Sequence, residues 1–259
     1  MSTSTLEALP LGDTARVRQA LLHAAGGYLR NVIREPKITC RVCAGAVHGF
    51  DRCWRCEQAR RIAGVADVVA PLTYANAGTP SAALVRDYKN HPARKVRESH
   101  SALINWLVGL GITRHERCIG AAAGSPISLR VVIPSLTNRP GVHPLAEIAR
   151  TLGVLGEARL VATPTALCDR VVRADKFMLT PGSGVEGRHV LVLDDMWTTG
   201  SNAQSAALAL RRAGAAAVSV MVVGRWLNPS YGRTGEFIKT RLQRDYDPDM
   251  CPVTGASCP

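Results

Sequence analysis

From Val65 onward the apolar residues follow two alternating rhythms. Short, nearly continuous runs, ADVVAPLTYA, LRVVIPS, RHVLVLDD and AAVSVMVVGRWL, have the β-branched content of buried strands. Between them SAALVRDYKNH, RKVRESHSALINWLVGLG, HPLAEIARTLG and SNAQSAALALRRAGA space their apolar positions as helices do. Strands alternating with helices of this length predict an α/β fold whose parallel sheet is covered on both faces. Upstream, the stretch 14–34 sets Val17, Leu21, Leu22, Leu29, Val32 and Ile33 mostly on one helical face, with Asp13 or Thr14 as N-cap and Gly26-Gly27 able to kink or split it. After Pro36 the periodic face disappears until about Arg61, and from Arg225 the rhythm is lost again. The expected organisation is an N-terminal helix over 1–35, a cysteine module over 36–64, an α/β domain over 65–224 and a tail over 225–259.

The irregular module spells CRVCAGAVHGFDRCWRC, two C-x2-C pairs formed by Cys40, Cys43, Cys53 and Cys56. Each pair is a short knuckle that presents two thiolates to one ion, and two knuckles complete a tetrahedral structural Zn2+ site of the ribbon type. A segment too small to bury its own core then takes its folding energy from the metal. Neither pair sits at the strand-to-helix junction of a redox dithiol, and four thiolates leave zinc no open position for catalysis. His48 is expected to be a surface or packing residue. Cys118 and Cys168 read as buried small apolar residues. Cys251 and Cys258, in CPVTGASCP, admit a clip to a metal or to each other, with a disordered or merely packed tail as the expectation.

The stretch VLVLDDMWTTGSN, Val190–Asn202, runs four apolar residues into two carboxylates, then two hydroxyls and a glycine. Its first part has the character of a central parallel strand, which places Asp194 and Asp195 at the carboxyl end, where open α/β sheets hold their ligands. Thr198, Thr199, Gly200 and Ser201 form a turn into the next helix, aiming backbone N–H groups, hydroxyls and the helix dipole at one spot suited to a phosphate monoester. Gly200 permits a positive φ. Two carboxylates beside such a cradle must serve something other than the phosphate, and ribose hydroxyls or a divalent cation are the candidates.

These residues resemble the thirteen-residue signature of type I phosphoribosyltransferases, which bind 5-phosphoribosyl 1-pyrophosphate (PRPP). The match departs at Asn202, where the family usually has Thr or Ser; Asn is expected to serve as the helix N-cap. The order of parts, cysteine knuckles, then Leu84–Lys89, then VVIPS, then the acid pair, is similar to the ComF-like competence family, also described as amidophosphoribosyltransferase-like, over about residues 30–225. The resemblance implies a parallel-sheet phosphoribosyltransferase-type core with an N-terminal zinc-ribbon module. It implies displacement of pyrophosphate from PRPP by an unidentified nitrogen nucleophile, with Mg2+. In that scheme Asp194 and Asp195 meet the ribose hydroxyls, Thr198, Thr199, Gly200, Ser201 and Asn202 cradle the 5-phosphate, and Ser135 and Arg139 contact pyrophosphate. Lys89 matches a lysine common in the ComF-like family, and Arg173 and Lys176 are expected either to close over the site as a mobile element or to belong to an exposed basic loop. After the VVIPS strand the family carries an Arg-Gly-Phe-Asn run, whereas this chain reads TNRPGV over 137–142.

Charge widens the choice of partners. The chain of 259 residues has a formal net charge of +12, of which residues 1–130 carry +9. Such an excess favours polyanions, either phosphorylated small molecules or DNA, single- or double-stranded. The densest basic run, Arg86, Lys89, Arg94, Lys95 and Arg97, has only Tyr88 interleaved for stacking and reads first as a solvated helix face. Together with this charge, the ComF-like resemblance implies an alternative class, a non-catalytic PRPP-sensing or DNA-binding protein of the competence type, and a third class is a zinc adaptor with a degenerate transferase domain. No window of about 18 apolar residues occurs and the first residues lack a basic and apolar export pattern, so the expectation is cytoplasmic with no membrane insertion. The acceptor and the oligomeric state are not encoded in any readable pattern.

Overall fold

The computed structural model describes residues 13–136 and 141–258. The fold begins with α1 (Thr14–Ala25), whose N-cap Asp13 accepts the Arg16 N–H at 3.0 Å and whose last turn is closed by Gly26, the first of the glycine pair. The cysteine module follows, with a short helix α2 (Trp54–Arg60). Then come β1 (Val68–Asn76), α3 (Pro80–Asn90), α4 (Arg94–Ala123), β2 (Leu129–Val132) and α5 (Pro144–Thr151). A two-stranded antiparallel hairpin, β3 (Leu160–Ala162) and β4 (Phe177–Leu179), precedes β5 (His189–Trp197), α6 (Ser201–Arg212), β6 (Ala217–Leu227) and α7 (Thr234–Arg241).

Four strands form one parallel sheet in the order β1-β6-β5-β2, with Val190 opposite Val218 and Leu193 opposite Val132. Both faces are covered, as the near-continuous apolar runs require. On one face Leu72, Leu191, Leu193 and Met221 pack with Leu103, Ile104 and Leu107 of α4 and with residues of α1, α3 and α5. On the other, Val69, Val131, Val190, Val192 and Val220 pack with Ala206 and Leu210 of α6, Phe177 of the hairpin and the module's cysteines. Each fully buried Leu or Val of β5 contributes about 1.5–3 kcal/mol. The 30-residue α4 lies close on β1: a Cβ at Gly111 would fall 2.8 Å from Leu72 Cδ2, so any larger residue would have to displace that side chain.

The last segment differs from the irregular tail expected from Arg225. Strand β6 continues to Leu227, so Arg225 belongs to the sheet. Phe237 of α7 then meets Tyr74 of β1 edge to face, centroids 5.8 Å apart, in a third cluster with Val32, Ala44 and Leu242. Tyr246 joins the main core, and Cys251 is wholly buried. Polar ties complete the docking: Arg30 Nε donates to Leu242 O (2.9 Å), Asn31 Nδ2 to Asp247 O (2.7 Å) and Arg34 Nε to Pro252 O (3.0 Å). The apolar contacts of this segment are single and widely spaced, which is why no period marks them in the sequence. Among the described residues no helix is long and apolar enough to cross a membrane.

Candidate functional site

The acid pair lies where the sheet opens. Strand β5 runs past Leu193 to Trp197, so Asp194 and Asp195 sit within its last turn-ward stretch, with Asp194 beside Val222 of β6. Their surroundings differ. Asp195 is buried and accepts the Tyr88 hydroxyl at 2.6 Å, forms an ion pair with Lys89 Nζ, and has His143 Nε2 at 3.7 Å. Both α3 residues reach it because Tyr88 and Lys89 occupy the last turn of that helix. His143 is the N-cap of α5: its Nδ1 accepts the Leu145 N–H at 3.3 Å, which leaves the proton on Nε2, toward Asp195. Asp194 is half-buried and accepts the N–H of Asp195 at 2.9 Å.

The electrostatic consequence is a split pair. Burial alone pushes the Asp195 carboxyl up, but the Lys89 charge, the neighbouring His143 and the hydrogen bonds from Lys89 and Tyr88 outweigh it and hold the group below the usual carboxylate range. Burial and then the Asp195 charge push Asp194 up to about 7, against the pull of Lys89 and two backbone N–H groups. One carboxylate is therefore fixed as an anion while its neighbour changes charge near neutrality, the environment-driven separation that gives adjacent acids distinct tasks.

Beyond Trp197 the chain makes the turn that its sequence predicts. Gly200 has φ +79°, and a Cβ there would lie 2.1 Å from Trp197 Cζ2, so a side chain is excluded by conformation and by the buried indole together. Gly200 is the N-cap of α6 and has no side chain to cap it, while the Thr199 hydroxyl accepts the Ser201 N–H at 3.4 Å. The N-terminal end of a 12-residue helix, with its positive dipole, thus faces the turn beside the Thr199 and Ser201 hydroxyls, which bond each other at 3.2 Å. Asn202 is not the cap that the sequence implied. It is the second helical residue, and its Oδ1 faces Lys176 Nζ at 3.4 Å. Gly200, free of a Cβ, takes the cap position because only it reaches the left-handed region at the strand-to-helix corner.

Lys176 differs from the expected closing element as well. It is fully buried, paired with Asp169 Oδ1 at 2.7 Å and donating to Asp169 O at 2.9 Å. Arg173, half-exposed, pairs with Asp169 Oδ2 at 3.1 Å. These bonds fold the β3–β4 connection on itself. In the same connection Cys168 is exposed, against the expectation of a buried residue, because the inward-facing place in this loop is taken by Lys176 and its bonds to Asp169.

The remaining predicted residues divide between two openings. Lys89 and Tyr88 line a cavity of about 530 Å3 with Arg94 and Arg97. Thr198 and Thr199 line another of about 540 Å3, walled by Cys53, Trp54, Arg55 and Tyr231. Ser135 is half-buried just past β2, two residues beyond Ile133, whose N–H donates to Leu193 O at 3.1 Å. Arg139 lies outside the described residues.

In the cysteine module the sulfurs of Cys40, Cys43, Cys53 and Cys56 lie within 4.8 Å of one another, an arrangement that could hold a metal ion. The first knuckle turns on Ala44, φ +56°, with the Ala44 N–H donating to Cys40 O and the Cys40 N–H to Gly45 O. The second is the start of α2, with Cys53 as its N-cap and Cys56 one turn on. His48 is exposed and outside this set, as expected. Arg225 joins the module to β5, a role the sequence hides in a basic residue at a presumed boundary. Its Nη1 donates to Trp197 O at 3.1 Å, and a Cβ at Gly45 would lie 2.3 Å from its Nη2. His143 is the other residue missed, since His-Pro before a helix reads only as a cap.

No known family model matches the chain, and no curated protein matches it.

Proposed function

We propose that this chain binds PRPP at the carboxyl end of β5 and transfers its phosphoribosyl group to a nitrogen nucleophile. The observation that carries the reading is the junction of β5 and α6: a carboxylate pair, a left-handed Gly200 on Trp197, and a helix N-terminus whose cap residue is a glycine, flanked by hydroxyls. The anion cradle suits the 5-phosphate, with Thr198, Thr199 and Ser201 as hydroxyl donors. The resemblance of Val190–Asn202 to the phosphoribosyltransferase signature supplies the rest of the ligand.

In this scheme the bond from the anomeric carbon to pyrophosphate breaks as the carbon–nitrogen bond forms, and pyrophosphate leaves with the electron pair. Mg2+ bound with PRPP supplies charge stabilisation on the leaving group. Asp195, held by Tyr88 and Lys89, is an invariant negative charge below the oxocarbenium-like sugar. Asp194 accepts a ribose hydroxyl, and its ionisation near neutrality lets it adjust to the charge of the bound ligand. Ser135, at the end of the neighbouring strand, and Arg139 after it are the chain's candidates for the pyrophosphate.

The test is calorimetric titration of Mg-PRPP into wild type and into Asp194→Asn/Asp195→Asn, with ribose 5-phosphate for comparison. The expected result is binding by wild type that the double variant loses while remaining folded. Equal affinity in a folded double variant removes the carboxylates from the site, and absence of binding to wild type overturns the reading.

A second reading has its own observation. Trp54 (64% exposed) carries Arg55 4.9 Å above its ring, and Tyr231 (76% exposed) shares the rim of the same cavity. Paired aromatics and arginine favour single-stranded nucleic acid, which stacks its bases on such platforms. That reading requires affinity for an oligonucleotide that falls steeply with salt and with Trp54→Ala.

A further inference from the structure

A second set of metal-ligating side chains lies between α4 and the C-terminal segment, apart from the cysteine module and the acid pair in sequence. His115 and Cys118 stand one turn apart on α4, and Cys251 and Cys258 lie on the loop after α7; one ligand atom from each falls within 4.8 Å of the others. We propose that these four residues form a second structural zinc site, a closed Cys3His tetrahedron that fastens the C-terminal segment to α4.

Three independent features support a single ion. The first is distance: a tetrahedral zinc with Zn–S of about 2.3 Å and Zn–N of about 2.0–2.1 Å sets its ligand atoms roughly 3.5–3.8 Å apart. His115 Nδ1 lies 3.3 Å from Cys258 Sγ, and the whole set is too compact to enclose several irons. The second is the histidine's orientation. Nε2 lies 2.8 Å from Pro248 O, a pure acceptor, so Nε2 carries the proton and the Nδ1 lone pair faces the sulfurs. This outer hydrogen bond is the device that fixes the tautomer of metal-bound histidines.

The third is the loop's own backbone. The Cys251 N–H donates to Ala256 O at 2.7 Å and the Gly255 N–H to Cys251 O at 2.8 Å, so Cys251 and Cys258 are presented from one tight turn. Gly255, φ +74°, is required there because a Cβ would fall 2.8 Å from Arg34 Cβ. His115, Cys118 and Cys251 are 3%, 7% and 0% exposed, a setting in which three polar ligands need a common partner. All the cysteines are free. A disulfide would take two of the three sulfurs and leave the third thiol and the histidine nitrogen to each other, using only part of a set in which all four ligand atoms converge. Thiolate and imidazole ligands in a closed tetrahedron select zinc.

The experiment uses the full chain purified under reducing conditions. Metal analysis is expected to give two zinc ions per wild-type chain, one in Cys40→Ser, and one in His115→Ala/Cys258→Ala. The latter pair leaves the buried Cys251 in place and includes the exposed Cys258. Cys258→His, which keeps a ligand, is expected to restore two. X-ray absorption on wild type needs no variant to fold: the two sites together supply seven sulfur ligands and one nitrogen. A single zinc per chain with sulfur ligands alone overturns the proposal, as do two zinc ions in the His115→Ala/Cys258→Ala variant. A disulfide among Cys118, Cys251 and Cys258, found by alkylation and mass spectrometry, also overturns it.

Discussion

Lys89 of α3 forms an ion pair with Asp195 of β5 across 106 residues of sequence, inside the hydrogen bond that Tyr88 gives the same carboxylate oxygen. A helix end is thereby locked onto the end of the central strand, and the anion is held in place before any ligand arrives.

Removing the cation leaves that buried carboxylate uncompensated. Lys89→Met is expected to cost about 3 kcal/mol, toward the low end for a broken buried pair because Lys89 is partly exposed. Urea denaturation measures it. Adding Asp195→Leu should recover most of the loss, and a double-mutant cycle with no coupling would separate the two residues.

Asp194 gives a pH dependence of opposite sign to a paired carboxylate. Its folded pKa is raised to about 7 by burial and by Asp195, above an unfolded value of about 3.9. Its contribution is therefore fully present below about pH 4 and is lost as pH rises through 7. Asp194→Asn should be more stable than wild type at pH 8, by at least about 1.4 kcal/mol, one pKa unit's worth. The gap should close by pH 4. Denaturation midpoints at the two pH values decide it, and a gap that widens in acid would reverse the assignment.

Gly200→Ala is expected to destabilise by more than the roughly 1–2 kcal/mol of a left-handed alanine, because the new Cβ also meets the Trp197 indole. A lowered thermal midpoint with red-shifted tryptophan emission checks both parts. A variant of wild-type stability would mean that the corner is free to rearrange.

Stripping the ion from Cys40, Cys43, Cys53 and Cys56 should reach the β5–α6 corner, since Arg225 spans the two. Cys40→Ser should release one zinc to a colorimetric chelator and increase hydrogen exchange at Thr198–Ser201. Unaltered exchange there would confine the module to a local role.

The sheet was readable because β1, β5 and β6 are buried along most of both faces and therefore written as nearly continuous apolar runs. Gly200 was readable for a related reason: a corner between a buried strand and a helix admits few residue types. Asn202 misled because its propensity to cap is real, while the cap position depends on which residue can turn the corner. Cys118 is the buried small residue that was expected, but the proximity of its sulfur to Cys251 and Cys258, more than a hundred positions away, leaves no mark in the sequence. His143 and Arg225 act across the fold, and nothing adjacent in sequence marks what they meet. The three-residue strands β3 and β4 are too short to carry a period.

The bonds that dock the C-terminal segment join residues made far apart in time. Arg30, Asn31 and Arg34 wait through 212, 216 and 218 residues of synthesis before Leu242, Asp247 and Pro252 emerge to meet them. Until then the N-terminal portion of a nascent chain lies beside an unfinished wall, with Leu29 and Val32 lacking part of their cover. Contacts of such span make folding slow and late. The protein therefore closes like a belt, its first and last lengths buckled together, and a chain cut short before Leu242 would leave the ribosome with its opening residues unsecured.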